Sequence, residues 1–590
     1  MMHRTFLIAM AALCAVAFAA EEHPDWSALS GEVTIAAGVT NLAEEADMQY
    51  VNALTKITFG SATSAIRFTG ATPPAIPFSG SGAIIKDSDY SWILDGLQGL
   101  TGMEDTSVLQ CALVVKGLVT VRHSHQSAPY PFGEYDEHGL TLAGPITVNG
   151  AASTLKLTVT NAPNCQLTVS GAIGGEGNVA VVGVSRVYLA NPTNTFAGSL
   201  TVNGAVGASL RLAAPGSAPN YAAVTSTTAR IALDVKSDGS AWTPAKIVEF
   251  ANAVTLKSNA FISLDASKSE DAAYTLSGDD WAQVADSVRY LSSDGTGTVT
   301  VTTSSLGDRR YAFGAVDGTL RFTGTSPLLV TNLFAAGSTD VHSQEVGTLV
   351  FDGAKSVDTT NSFITLGNQR WKTSYVYKPG YMVVTNSFIT GTRASSYSEA
   401  TSQGGIYPGW CGVGLLTIEP DSVVSSKFML AYGNASSRGS VFQRGGDVAM
   451  FGARISDDRG RASVIGRTGY GYYELSGGKL DFFGRPSIAT DSGQGILAIH
   501  GGTATLRTHY AGTIDPWLVL ADKGNGHIYM KGGKLSITNS TERIILLLAT
   551  HHRMSPRLRS TVPMRTILAH RLAMLGMRRT GSSTSISMLD

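Results

Sequence analysis

The sequence predicts an all-β fold, a right-handed parallel β-helix (β-solenoid) with an irregular N-terminal region. Three observations carry that expectation. One short phrase recurs at 441–448, 472–480, 496–504 and 528–535, and each copy reads as a strand, a Gly-Gly corner and a second strand. The pairs Gly445-Gly446, Gly477-Gly478, Gly501-Gly502 and Gly532-Gly533 follow one another at 32, 24 and 31 residues, a period that marks a stacked, quasi-one-dimensional array. Composition agrees: 65 of 590 residues are Gly and only 15% are charged, so small polar and β-branched residues between Gly corners favour strands and turns over helices. Finally, runs such as Leu155-Lys156-Leu157-Thr158-Val159 alternate, sending every second side chain to a core that the 43% apolar content can fill. The handedness follows from the preference for right-handed crossovers between parallel strands.

Residues 1–19 read as a signal peptide. A basic start, Met1-Met2-His3-Arg4, precedes an apolar run from Phe6 to Phe18, and Ala17-Phe18-Ala19 offers a small-x-small cleavage site before Glu21-Glu22. The run is shorter than the roughly 20 residues that span a bilayer, so export is expected and a transmembrane helix is not. Residues 20–139 form an N-terminal β-rich capping region. Strands are expected at 32–35 and 57–59, a loop at 73–77, and a short helix over 41–54 that hides the first open strand edge. Of the cysteines left after cleavage, Cys111, Cys165 and Cys411 have no metal spacing and read as small buried residues, with one disulfide pair as the alternative.

Residues 140–300 hold β-strand repeats. The block 171–204 contains Gly174-Gly175-Glu176-Gly177-Asn178, then Val187-Tyr188-Leu189, then Asn194-Thr195-Phe196-Ala197-Gly198, and ends at Asn203-Gly204. It resembles the autotransporter-associated β-strand repeat, with Phe196 in the aromatic position and Gly183-Val184-Ser185-Arg186 where that pattern has Lys-x-Gly. The resemblance implies an exported, passenger-like bacterial protein of the cell surface or outer membrane. Two segments, 244–253 and 279–290, read as helices or loops, and Pro244 after Thr243 suits a capped helix start. Residues 301–542 are the Gly-Gly solenoid repeats. Here Thr-Asn-Ser-Phe-Ile-Thr occurs at 360–365 and again 25 residues on, at 385–390, which reads as one period of a three-sided coil. Residues 543–590 form an atypical basic tail with eight Arg and no Lys; the break in residue usage favours a shifted reading frame or disorder over a basic arm or a sorting helix.

The candidates for chemistry are few. His123 and His125 share one strand face, and with His138, Glu134, Asp136 and Glu137 they are the metal candidates, set against a solvated Pro-containing loop. Asp457, Asp458, Arg459, Arg461 and Arg467 are the residue types a β-helix enzyme would use on an acidic polysaccharide, set against a charged turn. Gly466-Arg467-Thr468-Gly469 precedes a strand rather than a helix, so it is a corner and not a phosphate loop. Asn434, Asn525 and Asn539 are expected to face inward at turns, where an amide satisfies bent backbone. Tyr470, Tyr472, Tyr473, Trp371, Tyr375, Tyr377 and Tyr381 are candidates to stack on sugars or proteins, with one of Tyr472 and Tyr473 in the core. The expectation is a non-enzymatic surface protein acting in adhesion or carbohydrate contact. Its partners would be surface glycans or proteins of a host or neighbouring cell, with no cofactor, no catalytic residue and no nucleic acid. It would associate with the outer membrane through a missing anchor. The alternative is a β-helix glycan-active enzyme such as a polysaccharide lyase; a structural fragment is the third reading.

Overall fold

The computed structural model describes residues 21–95, 106–124, 139–160, 166–183, 186–204, 209–227, 229–238, 241–257, 260–283, 290–303, 310–336, 346–368, 379–391, 404–451, 463–484, 486–507, 517–522, 524–537, 545–548 and 584–586. The fold is a parallel β-helix, in which each turn of chain adds one strand to each of several long parallel sheets. Two compact units divide it: one comprises residues 1–234 with 239–262, the other 235–238 with 263–590.

In the first unit, successive turns run Ala112–Val115, Leu118–Ser124, Gly139–Leu142, then Ile146–Val148, Thr154–Thr160, Gln166–Val169, then Ile173–Gly175, Asn178–Gly183, Arg186–Leu189. Like strands pair in parallel and in register, so Leu155 lies beside Val179 and Val179 beside Leu200. Leu155, Leu157, Val179, Val181, Leu200 and Val202 are all buried, which is the inward half of the alternation. The N-terminal region is irregular in its connections, yet its strands join parallel sheets from Glu21–Glu22 onward. The helix expected over 41–54 is mostly absent. Thr40–Ala43 is a strand paired with Ala65–Phe68, and only a 3-10 turn, Glu45–Asp47, and one α-turn, Met48–Val51, follow it. Pairing wins because Leu42 offers its carbonyl to the buried Trp26 indole, which fixes this segment as extended chain. Pro244–Ala253 is a helix, started by Thr243, whose hydroxyl accepts from the Lys246 amide. Its Phe250 packs against Trp242 and Tyr221 at ring distances of 5.2 Å. Lys86 is fully buried, and its ammonium donates to the carbonyls of Ser88 and Lys116.

A buried amide links turns within the 171–204 block. Asn194 is 5% exposed; its Oδ1 accepts from the Ile173 amide and its Nδ2 donates to the Ser217 carbonyl, both at 2.9 Å. The described residues expected in that role do otherwise. Asn434 is half-buried and folds onto its own loop, accepting from Ser436 and Ser437; Asn525 is exposed, and Asn539 lies outside the described residues.

The second unit is three-sided where the Gly-Gly phrases occur. A front sheet contains Gly347–Asp352, Gly380–Thr385, Val413–Ile418, Arg438–Gln443, Tyr470–Leu475, Gln494–Ile499 and Asn525–Met530. A second face contains Val423–Ser426, Asp447–Phe451, Lys479–Phe483, Thr503–Arg507 and Lys534–Ile537. A third contains Met429–Leu430, Val464–Ile465, Ser487–Thr490, Trp517–Asp522 and Ile545–Leu548. Thr584–Ile586, in the basic tail, pairs antiparallel with Lys534–Ile537. Gly-Gly corners join front to second face, and their two glycines have different duties. The second glycine takes positive φ (70°, 76°, 68° and 72° at Gly446, Gly478, Gly502 and Gly533), where a Cβ would be strained. The first lies flat against the preceding turn, so a Cβ on Gly477 would come within 2.6 Å of the Arg444 carbonyl oxygen.

A second set of glycines lies inside the front sheet. Gly318, Gly347, Gly380, Gly414, Gly439, Gly471, Gly495 and Gly526 are register partners across eight successive strands. From Gly347 to Gly495 each faces the corner by which the chain returns to the front sheet. That corner residue is left-handed in every turn: Ala336, Gly367, Gly409, Ala431, Gly466 and Ala489. A Cβ on Gly439 would lie 2.7 Å from the Ala431 nitrogen, and one on Gly495 2.6 Å from that of Ala489, closer than real Cβ contacts come. The last four ladder glycines precede the Gly-Gly pairs by six residues each, a spacing that repeats without exception from Gly439 to Gly532.

The two Thr-Asn-Ser-Phe-Ile-Thr copies are not one period apart. Phe363–Leu366 pairs with Gly405–Pro408, whereas Phe388–Gly391 pairs with Val357–Thr359 and Val423–Ser426. The copies therefore occupy different corners of the coil. What they share is local: Asn361 and Asn386 are left-handed, at φ 61° and 45°, and the following Ser362 and Ser387 are buried.

Two outcomes are expected. Gly495→Ala should destabilise the second unit by about 1–3 kcal/mol through overpacking against the corner backbone; an unchanged thermal midpoint would show that the corner yields freely. Asn194→Ala strands a buried donor and acceptor, each costing about 1–3 kcal/mol, and should lower the first unit's urea midpoint.

Candidate functional site

Three residues that each follow a left-handed corner stack in consecutive turns. They are Trp410 after Gly409, Tyr432 after Ala431 and Arg467 after Gly466. The Trp410 and Tyr432 ring centroids are 4.6 Å apart with planes inclined by 38°, and the Arg467 guanidinium lies 4.1 Å over the Tyr432 ring. Arg467 Nε donates to Asp491 Oδ2 at 3.2 Å. Behind them Tyr407 supports both rings, 4.6 Å from Trp410 and 5.6 Å from Tyr432, and Phe363 meets Trp410 edge-on at 5.6 Å. Tyr407 is buried, and burial holds its hydroxyl proton well above the ordinary tyrosine range. Trp410 and Tyr432 are half-buried, each with an edge in solvent. The corners are tied together by Thr468, whose hydroxyl donates to the Tyr432 carbonyl at 2.7 Å.

Beside this corner the outer surface of the front sheet continues the pattern. Arg438, Tyr470 and Gln494 are register partners at its first position, followed by Tyr381, Leu415, Ser440, Tyr472 and Ile496, and then Phe442 beside Glu474. Phe442 and Tyr472 lie 5.8 Å apart. The Tyr472 hydroxyl donates to Glu474 at 2.7 Å and Ser476 donates to its other oxygen at 2.8 Å. The Tyr472 bond leads in holding the Glu474 carboxyl below its ordinary range, while burial and Glu474 push the Tyr472 hydroxyl up to about 12. The glutamate is thus kept as a charged acceptor on an aromatic surface. Tyr473, the neighbour of opposite sense, is fully buried and donates to Gln443 Oε1 at 2.8 Å. Gln443 Nε2 in turn donates to the Gly446 and Lys479 carbonyls, so a buried polar pair fixes the adjoining Gly-Gly corner.

Comparison with protein-family models, with characterised proteins and with solved structures finds no match.

Of the sequence candidates, Arg467, Tyr470 and Tyr472 lie at this corner or on the face beside it, and Tyr381 three strands away on the same face. Trp371, Tyr375, Tyr377, Asp457, Asp458, Arg459 and Arg461 lie outside the described residues. So do His125 and His138; His123 lies in the strand Leu118–Ser124, paired in register with Val159. Among the described residues no group of three or more His, Cys, Asp or Glu is placed to hold a metal ion, and no helix is long and apolar enough to cross a membrane. Cys111 is a buried free thiol whose proton burial pushes up to about 12, and Cys165 is outside the described residues. Gly445, Gly446, Gly477, Gly478, Gly501, Gly502, Gly532 and Gly533 serve as corners. Phe363, Tyr407, Trp410 and Tyr432 were missed by sequence reasoning. A usable signal existed: Trp410 and Tyr432 each precede a ladder glycine, Gly414 and Gly439, within one short corner.

Cys111 should resist alkylation by iodoacetamide at pH 8 until the chain is unfolded, as peptide mass mapping would read; rapid native labelling would contradict its burial.

Proposed function

We propose that the chain is an exported surface β-solenoid, passenger-like in build, that makes non-catalytic contact with glycans or proteins of neighbouring cells. One observation supports this above the others: an aromatic corner continuous with an aromatic outer sheet face. Aromatic rings backed by buried partners are rigid and lose little entropy on contact, which suits a surface that binds through many weak contacts. The signal-like N-terminus and the resemblance of 171–204 to autotransporter-associated repeats support export and surface display. The runner-up is a β-helix glycan-active enzyme such as a polysaccharide lyase. Arg467 is its one described candidate, and a guanidinium both stacked on Tyr432 and bonded to Asp491 suits recognition better than proton abstraction.

A binding screen of the whole chain on immobilised polysaccharides tests the proposal. Trp410→Ala and Tyr432→Ala should each weaken retention by roughly threefold to tenfold, in line with about 0.5–1.5 kcal/mol per aromatic contact. Release of unsaturated sugars from a bound polymer, lost in Arg467→Ala, would instead establish the lyase.

A further inference from the structure

The charges around the aromatic corner indicate which kind of glycan it would take. Arg467 is held flat by the Tyr432 ring and tethered through Nε by Asp491, while 22% of its side chain remains open to solvent. Such a guanidinium is pre-organised, so little entropy is lost when its remaining N–H groups meet an anion. Arg438, exposed at the first position of its strand, is the register neighbour of Tyr470 and belongs to the same turn of chain as Tyr432. Asp491 is the one carboxylate bonded to this cluster among the described residues, and it offsets Arg467. The next carboxylate along the face, Glu474, is already engaged by Tyr472 and Ser476. Glu419 is bonded to Arg444 at 2.9 Å. The corner therefore joins a ring-stacking surface to Arg438, a cation with no ion-pair partner among the described residues, and to one fixed guanidinium.

Resting on the glycan-contact reading above, we propose that this corner is a subsite for a carboxylated sugar, the uronate unit of an acidic polysaccharide. The sugar ring lies against the exposed edges of Trp410 and Tyr432, and its carboxylate accepts from Arg438 and Arg467. Neutral glycans find the rings but bring no anion to Arg438 or to the remaining N–H groups of Arg467.

The test is equilibrium binding of the full chain to polygalacturonate, to the same polymer fully methyl-esterified, and to dextran sulfate. Polygalacturonate should bind roughly tenfold or more tightly than its ester, as charge-assisted hydrogen bonds predict. That preference should fall with added salt. Arg438→Gln, at an exposed position that leaves the fold intact, should remove most of the preference, and Arg467→Gln should do the same. Equal affinity for acid and ester, with Trp410→Ala still weakening both, would overturn the uronate assignment while sparing the glycan-contact reading. Tight binding to dextran sulfate alone would overturn it in favour of a sulfate site. Failure to bind any of the three polymers would overturn the uronate assignment, and failure across the wider glycan screen as well would count against glycan contact itself.

Discussion

The second unit depends on a single steric constraint: the third face turns back to the front sheet through a left-handed residue, and the strand position facing that residue has no room for a Cβ. The facing glycine and the left-handed corner belong to the same turn of chain, as with Ala431 and Gly439 or Ala489 and Gly495. Left-handed conformation costs an alanine about 1–2 kcal/mol, so Ala336, Ala431 and Ala489 are strained. Burial offsets it, since each turn places two or more large apolar side chains, such as Tyr473 and Leu475, wholly in the core. Each such side chain contributes about 1.5–3 kcal/mol.

The same constraint creates the candidate site. In three consecutive turns the residue after the corner is half-buried at the surface, and parallel register repeats the position about 4.8 Å along the stack. That distance matches the separation of neighbouring rings, which is why Trp410, Tyr432 and Arg467 meet although 22 and 35 residues separate them in sequence. Surface chemistry here follows from core geometry: the corner fixes the spacing, and only the residue types are free to vary.

Much of the fold was legible because its signals are local. Period-two alternation in Leu155 to Val159, the Gly-Gly pairs and the capped start at Thr243-Pro244 each report backbone conformation within a few residues. What escaped depends on contacts between turns. The two Thr-Asn-Ser-Phe-Ile-Thr copies share a corner conformation but not a place in the coil, and only pairing reveals it. Asn194 faces inward while Asn434 does not, because its amide finds acceptor and donor on two other turns, at Ser217 and Ile173. Asn41 to Leu54 has helix-forming residues at its end, yet strand pairing claims its start. The aromatic corner was hidden for the same reason: Phe363, Trp410, Tyr432 and Arg467 come from different turns and lie far apart in sequence, unlike the contiguous tyrosines at Tyr470 to Tyr473.

Because each glycine of the ladder fits against a corner of its own turn, the fit is settled turn by turn. A turn removed between equivalent points, such as 477–500, would take Ala489 and Gly495 out together and bring Gly501-Gly502 into the place of Gly477-Gly478. The turns on either side would keep their own fitted corners. Length in this solenoid is thus a quantity counted in whole turns, and a chain built this way can be made longer or shorter along the stack without redesign of its core.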